Sequence, residues 1–196
     1  MKKLLTIMMV VLATAGISMA GDKTLPRPDA LSEETIYLTE KISVNYDTLV
    51  IKDFSAEGAV YERVDEEEKA GIIKMMPQLM SNIADALTSQ LKSKGLFKEI
   101  SRNSASGGRQ IILEGKISEF NAGSKALKFF VGFGAGKAYL KFKGRFVDST
   151  GKELATFEDR ETGYLGSMEM ISYDKLFPYQ ATSIGENLAK FLIKLY

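Results

Sequence analysis

The stretch that decides the fold is KAYLKFKGRFVDSTGKELATFEDRET, residues 137–162. Apolar and polar residues alternate through its first half, which is the period of a strand with one buried face. Residues 148–151, Asp-Ser-Thr-Gly, have the composition of a tight turn. Residues 152–162 then supply a return strand. The stretch therefore predicts an antiparallel β-hairpin whose buried face carries Ala138, Leu140, Phe142 and Phe146.

Further strands and two helices are predicted on either side of this hairpin. Strand composition or alternation marks residues 44–54, 97–101 and 109–120. Apolar residues at helical spacing predict a helix over Glu66–Lys94 that stops at Gly95, and Pro77 predicts a kink or two successive helices there. This first stripe comprises Ile72, Met76, Leu79, Met80, Ile83, Leu87 and Leu91. A second stripe predicts a C-terminal helix through Ala181, Ile184, Leu188, Phe191, Leu192 and Leu195.

This order of elements predicts an α+β fold. We expect a mostly antiparallel sheet with two amphipathic helices on one face, forming a single α/β sandwich domain over residues 42–196. Residues 21–41 contain Pro26 and Pro28 among charged and small polar residues. That composition is typical of a flexible leader.

The first twenty residues have the pattern of a signal peptide. Lys2 and Lys3 precede an apolar run, and Ser18-Met-Ala20 supplies small residues at the cleavage positions. The apolar run is shorter than the roughly 20 residues that a spanning helix needs. We therefore expect export to the periplasm with cleavage after Ala20. Because the chain has no cysteine, it offers no thiol for a lipid anchor, and we do not expect a lipoprotein.

Missing residue types exclude many functions. The chain contains no histidine and no cysteine, which removes histidine-based triads, thiolate nucleophiles, imidazole ligands and zinc–thiolate sites. Its net charge of +1 gives no electrostatic argument for binding nucleic acid. We expect no enzyme activity, no cofactor and no metal.

The glycine-rich segment at residues 123–138 resembles a phosphate-binding loop without fitting one. Ala138 follows Gly136-Lys137 where the motif needs Ser or Thr, and Val131 stands where its first glycine belongs. Nucleotide binding is therefore not expected. The segment either folds back into the core or forms an apolar, glycine-flexible tip with a basic rim that docks to a protein or membrane surface. Its docking residues would be Lys125, Lys128, Phe129, Phe130, Gly132, Phe133, Gly134 and Gly136.

The polar face of the hairpin is a second candidate site. Lys137, Lys141, Lys143 and Arg145 share one side of the strand and could bind an anionic small or polymeric ligand. The favoured interpretation is neutralisation by the acidic return strand, which offers Glu153, Glu158, Asp159 and Glu161. A carboxylate-based envelope hydrolase has the least support, because alternation places Glu114 and Glu119 on opposite faces.

Several short motifs occur in order along the chain: Val50-Ile-Lys-Asp-Phe54, Ile112-Leu-Glu-Gly115, residues 120–128, residues 132–138 and Val147-Asp-Ser-Thr-Gly151. Together they resemble the bacterial envelope family of domain of unknown function 4410 (DUF4410). The resemblance runs from about Tyr46 to the C-terminus and implies no defined activity. A looser similarity in element order, to small domains of outer-membrane accessory proteins, would imply an interaction role. We therefore expect a non-catalytic periplasmic protein that docks an envelope partner through residues 123–138.

Overall fold

The structure, a computed structural model, describes residues 23–104, 107–123, 137–162 and 172–196. Within them lie seven strands and three helices. The strands are β1 Glu33–Ile36, β2 Thr48–Ile51, β3 Val60–Glu62, β4 Glu99–Arg102, β5 Gln110–Asn121, β6 Tyr139–Asp148 and β7 Glu153–Glu161. The helices are α1 Ile42–Asn45, α2 Glu66–Lys94 and α3 Tyr173–Leu195.

All seven strands form one sheet. Six of them follow the order β1-β7-β6-β5-β2-β4, and β3 pairs with residues 119–121 of β5, beyond the residues of β5 that pair with β2. The α+β class is confirmed. Most residue pairs in the sheet are antiparallel, as expected, but the sheet is mixed rather than strictly antiparallel. β5, β6, β7 and β1 pair antiparallel, whereas β2 runs parallel to both β4 and β5, and β3 runs parallel to β5. The reason is the connection through α2, because a helical crossover returns the chain to the sheet in the same direction.

Helix α2 has the predicted bounds. Asp65 accepts a hydrogen bond from the Glu68 amide, and the Glu68 carboxylate accepts one from the Asp65 amide, which forms a capping box. Gly95 ends the helix in the left-handed conformation at φ 63°. The helix continues through Pro77, so of the two expected alternatives, a kink or two successive helices, the second is wrong. Because Pro77 has no backbone N–H, the Ile73 carbonyl lacks the helical hydrogen bond that residue 77 would otherwise donate. Ile73 is 53% exposed.

Helices α2 and α3 pack against each other on one face of the sheet. Their backbones approach closely at Gly185, where a Cβ atom would overlap the carbonyl oxygen of Ile83 and lie 2.8 Å from the Ala86 Cβ. Glycine is therefore required there by space. Both amphipathic stripes predicted from the sequence face this interface or the sheet, and every member of the second stripe is buried.

The core lies between the helices and the sheet. The four apolar residues of the predicted hairpin are at most 3% exposed, which confirms the predicted face. Phe142, Phe146, Phe157 and Phe191 form a ring cluster with centroids 5.6–6.2 Å apart. Gly151 takes φ 86° in the turn that joins β6 to β7, as its position predicted.

Residues 23–41 are part of the domain rather than the flexible leader expected from their composition. Strand β1 pairs with β7 at the edge of the sheet, and Leu31, Ile36 and Leu38 are buried in the core. The Glu34 carboxylate accepts hydrogen bonds from the backbone amides of residues 29–31 at 2.6–2.9 Å. These contacts leave no signal in the sequence, because β1 has only four residues, too few to show a period.

Candidate functional site

The face of the sheet opposite the helices carries a groove of about 530 Å³. It crosses β1, β7, β6 and β5, because outward-pointing residues of neighbouring strands stand beside each other in register. The groove is lined by Glu33, Glu34, Thr35, Ser55, Glu114, Gly115, Lys116, Lys143, Gly144, Arg145, Thr156, Phe157 and Glu158.

The floor of the groove is the backbone around two glycines. Gly115 of β5 lies opposite Gly144 of β6. On the helix side, a Cβ at Gly115 would overlap the ring of Phe54, and one at Gly144 would lie 2.6 Å from the ring of Phe157. The glycines therefore let two aromatic rings lie directly against the sheet beneath the groove.

Two of the four predicted basic residues are neutralised by neighbouring strands. Lys141 forms an ion pair with Glu158 of β7. Arg145 binds Glu114 of β5 at 2.9 Å and Glu153 of β7 at 3.0 Å. The hydrogen bond to Glu158 raises the pKa of Lys141. The interpretation as cross-strand pairing is therefore correct for Lys141 and Arg145.

Glu114 is the centre of this ion-pair network. Lys52, just beyond β2, binds its second carboxylate oxygen at 2.5 Å. Its hydrogen bond with Lys52, supported by Arg145, lowers the pKa of Glu114 despite partial desolvation. The carboxylate is thus held ionised between two cations, which leaves it unsuited to giving up a proton in general acid catalysis.

Lys143 differs from its neighbours on β6. It lies directly opposite Lys116 of β5. Across the described part of the chain, neither lysine forms an ion pair or a side-chain hydrogen bond. Lys137, the fourth predicted basic residue, is exposed just before β6. Two lysines without an ion-pair partner among the described residues, Lys116 and Lys143, therefore stand opposite each other in the lining of the groove.

Glu114 and Glu119 lie on the same face of β5, contrary to the alternation argument. The pairing with β6 shifts between Ile117 and Glu119, and this bulge adds one residue that reverses the facing of everything beyond it. Glu119 nonetheless accepts a hydrogen bond from Tyr139, whose pKa is raised mainly by that bond. Both carboxylates are therefore already engaged. Among the described residues no group of three or more carboxylates is placed to hold a metal ion.

The docking segment lies largely outside the described residues. All eight predicted docking residues fall in the range 124–136, outside the described part of the chain: Lys125, Lys128, Phe129, Phe130, Gly132, Phe133, Gly134 and Gly136. None of the residues that line the groove lies in this range. The two flanks are described. Gly123 donates a backbone hydrogen bond to the Asn121 side chain at 2.8 Å. The Ala138 carbonyl accepts one from the buried Gln180 of α3 at 3.0 Å.

Sequence reasoning missed Lys116, Glu33 and the hydroxyl side chains of the groove. Lys116 had a usable signal in the sequence. Leu113 and Ile117 are buried, and alternation from either of them places Lys116 on the opposite face of the strand. Its position opposite Lys143 had no such signal, because the register of two strands separated by a long connection cannot be derived from either strand alone.

The fold and the groove define a two-layer α+β domain with an open, charged sheet face. The chain belongs to the family of domain of unknown function DUF4410, whose family model matches residues 49–167. A comparison with curated proteins returned no match. Over the part of the chain that the structure describes, neither long helix is apolar enough to cross a membrane.

Two solved structures are similar in fold. One is a dodecamer of a PelC variant from Paraburkholderia phytofirmans, with 11% identity and a TM-score of 0.42 over 80% of this chain and 95% of that chain. The other is protein XCC0632 from Xanthomonas campestris, described under family model DUF330. It has 12% identity and a TM-score of 0.45 over 75% of this chain and 84% of that chain.

Proposed function

We propose that this is a non-catalytic protein of the periplasm that docks an envelope partner through residues 123–138. The signal-like N-terminus supports export. The chain has no histidine or cysteine to act as a general base or thiolate nucleophile, and the Glu114 and Glu119 carboxylates of the sheet are engaged by other side chains. A binding role is what this composition favours.

The observation that carries the proposal is the anchoring of both ends of the segment. Asn121 at the end of β5 holds the backbone of Gly123, and Gln180 of α3 holds the backbone of Ala138. Strands β5 and β6 pair along nearly their whole length below these two points. Binding residues are commonly carried on loops positioned by a rigid scaffold, and this stem supplies one.

The sequence between the anchors suits contact with a partner. Phe129, Phe130 and Phe133 are large apolar side chains among glycines, with Lys125 and Lys128 nearby. Aromatic residues supply much of the binding energy of protein interfaces. Lysines beside them favour an acidic or anionic partner surface.

In-cell photocrosslinking tests the proposal. A photoreactive residue placed at position 129, 130 or 133 should capture one defined envelope protein or lipid, and the same residue at position 150 should not. Thr150 is a matched control because it is exposed in the β6–β7 turn, at the opposite end of β6 from the segment. The partner should capture this protein in the reciprocal experiment. Equal capture at all four positions, or none, would contradict the proposal.

A further inference from the structure

Lys116 and Lys143 face each other across β5 and β6 in the centre of the open sheet face. Cβ atoms of directly opposed residues lie about 4.5–5.5 Å apart, and like charges in that position destabilise a sheet. The arrangement therefore costs stability in the protein by itself. A bound anion would offset this cost by giving both ammonium groups a shared partner.

Nearby carboxylates do not supply that partner. Glu158 lies directly opposite Lys143 on its other side, yet its ion pair is with Lys141. Glu114, the neighbour of Lys116 along the outer face of the sheet, is bound by Lys52 and Arg145. The carboxylates closest in register are thus occupied by other cations.

The groove around the lysine pair also offers neutral hydrogen-bonding groups. Ser55 forms a parallel bridge with Lys116, and Thr156 lies on β7 opposite Arg145. Both residues line the groove, whose volume of about 530 Å³ is that of a small-molecule site. Two ammonium groups and hydroxyl donors suit a tetrahedral oxyanion with several acceptor oxygens.

We propose that this groove binds the phosphate group of a small soluble molecule between Lys116 and Lys143. The site is separate from the docking segment, because none of the groove residues lies in the range 123–138. Its function therefore does not depend on the proposed docking role.

The charges around the groove favour a small ligand over an anionic membrane or polymer. Glu33, Glu114 and Glu158 line the groove beside the lysine pair. Glu33 stands opposite Glu158 at the β1–β7 pair, so this end of the groove is acidic. An extended anionic surface would meet these carboxylates, whereas a single phosphate can reach the lysines between them.

The test is an NMR titration of the full mature chain with inorganic phosphate at constant ionic strength. Saturable shifts are expected at the side-chain nitrogens of Lys116 and Lys143 and at the amide of Thr156. Lys116→Gln and Lys143→Gln should each weaken binding at least tenfold. Both variants should keep or gain thermal stability in chloride, because removing one lysine removes the repulsion. Lys152→Gln, in the exposed turn after β6, is the matched control and should bind as the wild type does.

Three results would overturn the proposal. The first is a set of non-saturating shifts spread over all exposed lysines, which indicates an adventitious ion only. The second is unchanged binding in the Lys116→Gln, Lys143→Gln double variant. The third is binding to phosphatidylglycerol vesicles that depends on these lysines, which would assign the site to a membrane surface. Loss of in-cell crosslinking at residues 129–133 would leave this result unaffected, so the two proposals fail separately.

Discussion

Gly115 of β5 lies directly against the ring of Phe54, in a position that leaves no room for a Cβ atom on the helix side of the strand. Phe54 is 4% exposed, so its ring is held there by the core rather than resting on the surface. The contact links the segment after β2 to the centre of the sheet. It also fixes the backbone that forms the floor of the groove.

Gly115→Ala should therefore destabilise the protein by about 1–3 kcal/mol, the usual cost of overpacking a core. Phe54→Ala should itself cost about 3–5 kcal/mol, because it leaves a cavity. In the Phe54→Ala background the added methyl group has space, so Gly115→Ala should cost much less. Denaturant unfolding of the four proteins gives this coupling, and additive effects would contradict the described contact.

The ion pairs of Glu114 predict a pH-dependent contribution to stability. Because the pKa of Glu114 is lowered in the folded state, its contribution is present above the unfolded pKa of about 4.3 and is lost as the pH falls below it. Glu114→Gln should thus be less stable than the wild type at pH 7. The difference should shrink as the pH falls below about 4.

Unfolding curves measured from pH 3 to pH 7 check this prediction. Glu57→Gln is the control, since Glu57 is exposed in a turn and takes part in none of the ion pairs among the described residues. The control variant should follow the wild-type curve at every pH. A Glu114→Gln difference that stays constant with pH would show that its effect is not electrostatic.

The packing of residues 23–41 predicts protected backbone amides in a region whose composition looks mobile. The amides of Ala30 and Leu31 donate to the buried Glu34 carboxylate, and the amide of Leu25 donates to the Leu38 carbonyl. Hydrogen exchange should be slow at all three positions. Glu34→Ala should speed exchange at Ala30 and Leu31. Fast exchange at these amides in the wild type would contradict the packing of residues 23–41 and support a flexible leader.

The long elements could be predicted because each carries several agreeing signals. Helix α2 combines an apolar stripe, acidic residues in its first turn and a left-handed glycine at its end, so its bounds follow from local chemistry. The β6–β7 hairpin combines alternation with a turn sequence. Local signals of this kind do not depend on what the rest of the chain does.

The site could not be predicted to the same depth, because it depends on register. The bulge between Ile117 and Glu119 moves Glu119 to the outer face of the sheet, and no residue type at that point of the sequence predicts a bulge. The opposition of Lys116 and Lys143 follows from how β5 and β6 align across a long connection. The parallel pairing of β2 likewise reflects where α2 returns the chain.

In the proposed function, the docking segment binds a partner rather than completing the core. The most direct measurement is the free energy of unfolding of the Phe129→Ser, Phe130→Ser, Phe133→Ser triple variant, with Phe142→Ala as the buried control. Exposed docking residues predict a change below about 1 kcal/mol in the triple variant, while Phe142→Ala costs about 3–5 kcal/mol. A loss of several kcal/mol in the triple variant would place the phenylalanines in the core and contradict the claim.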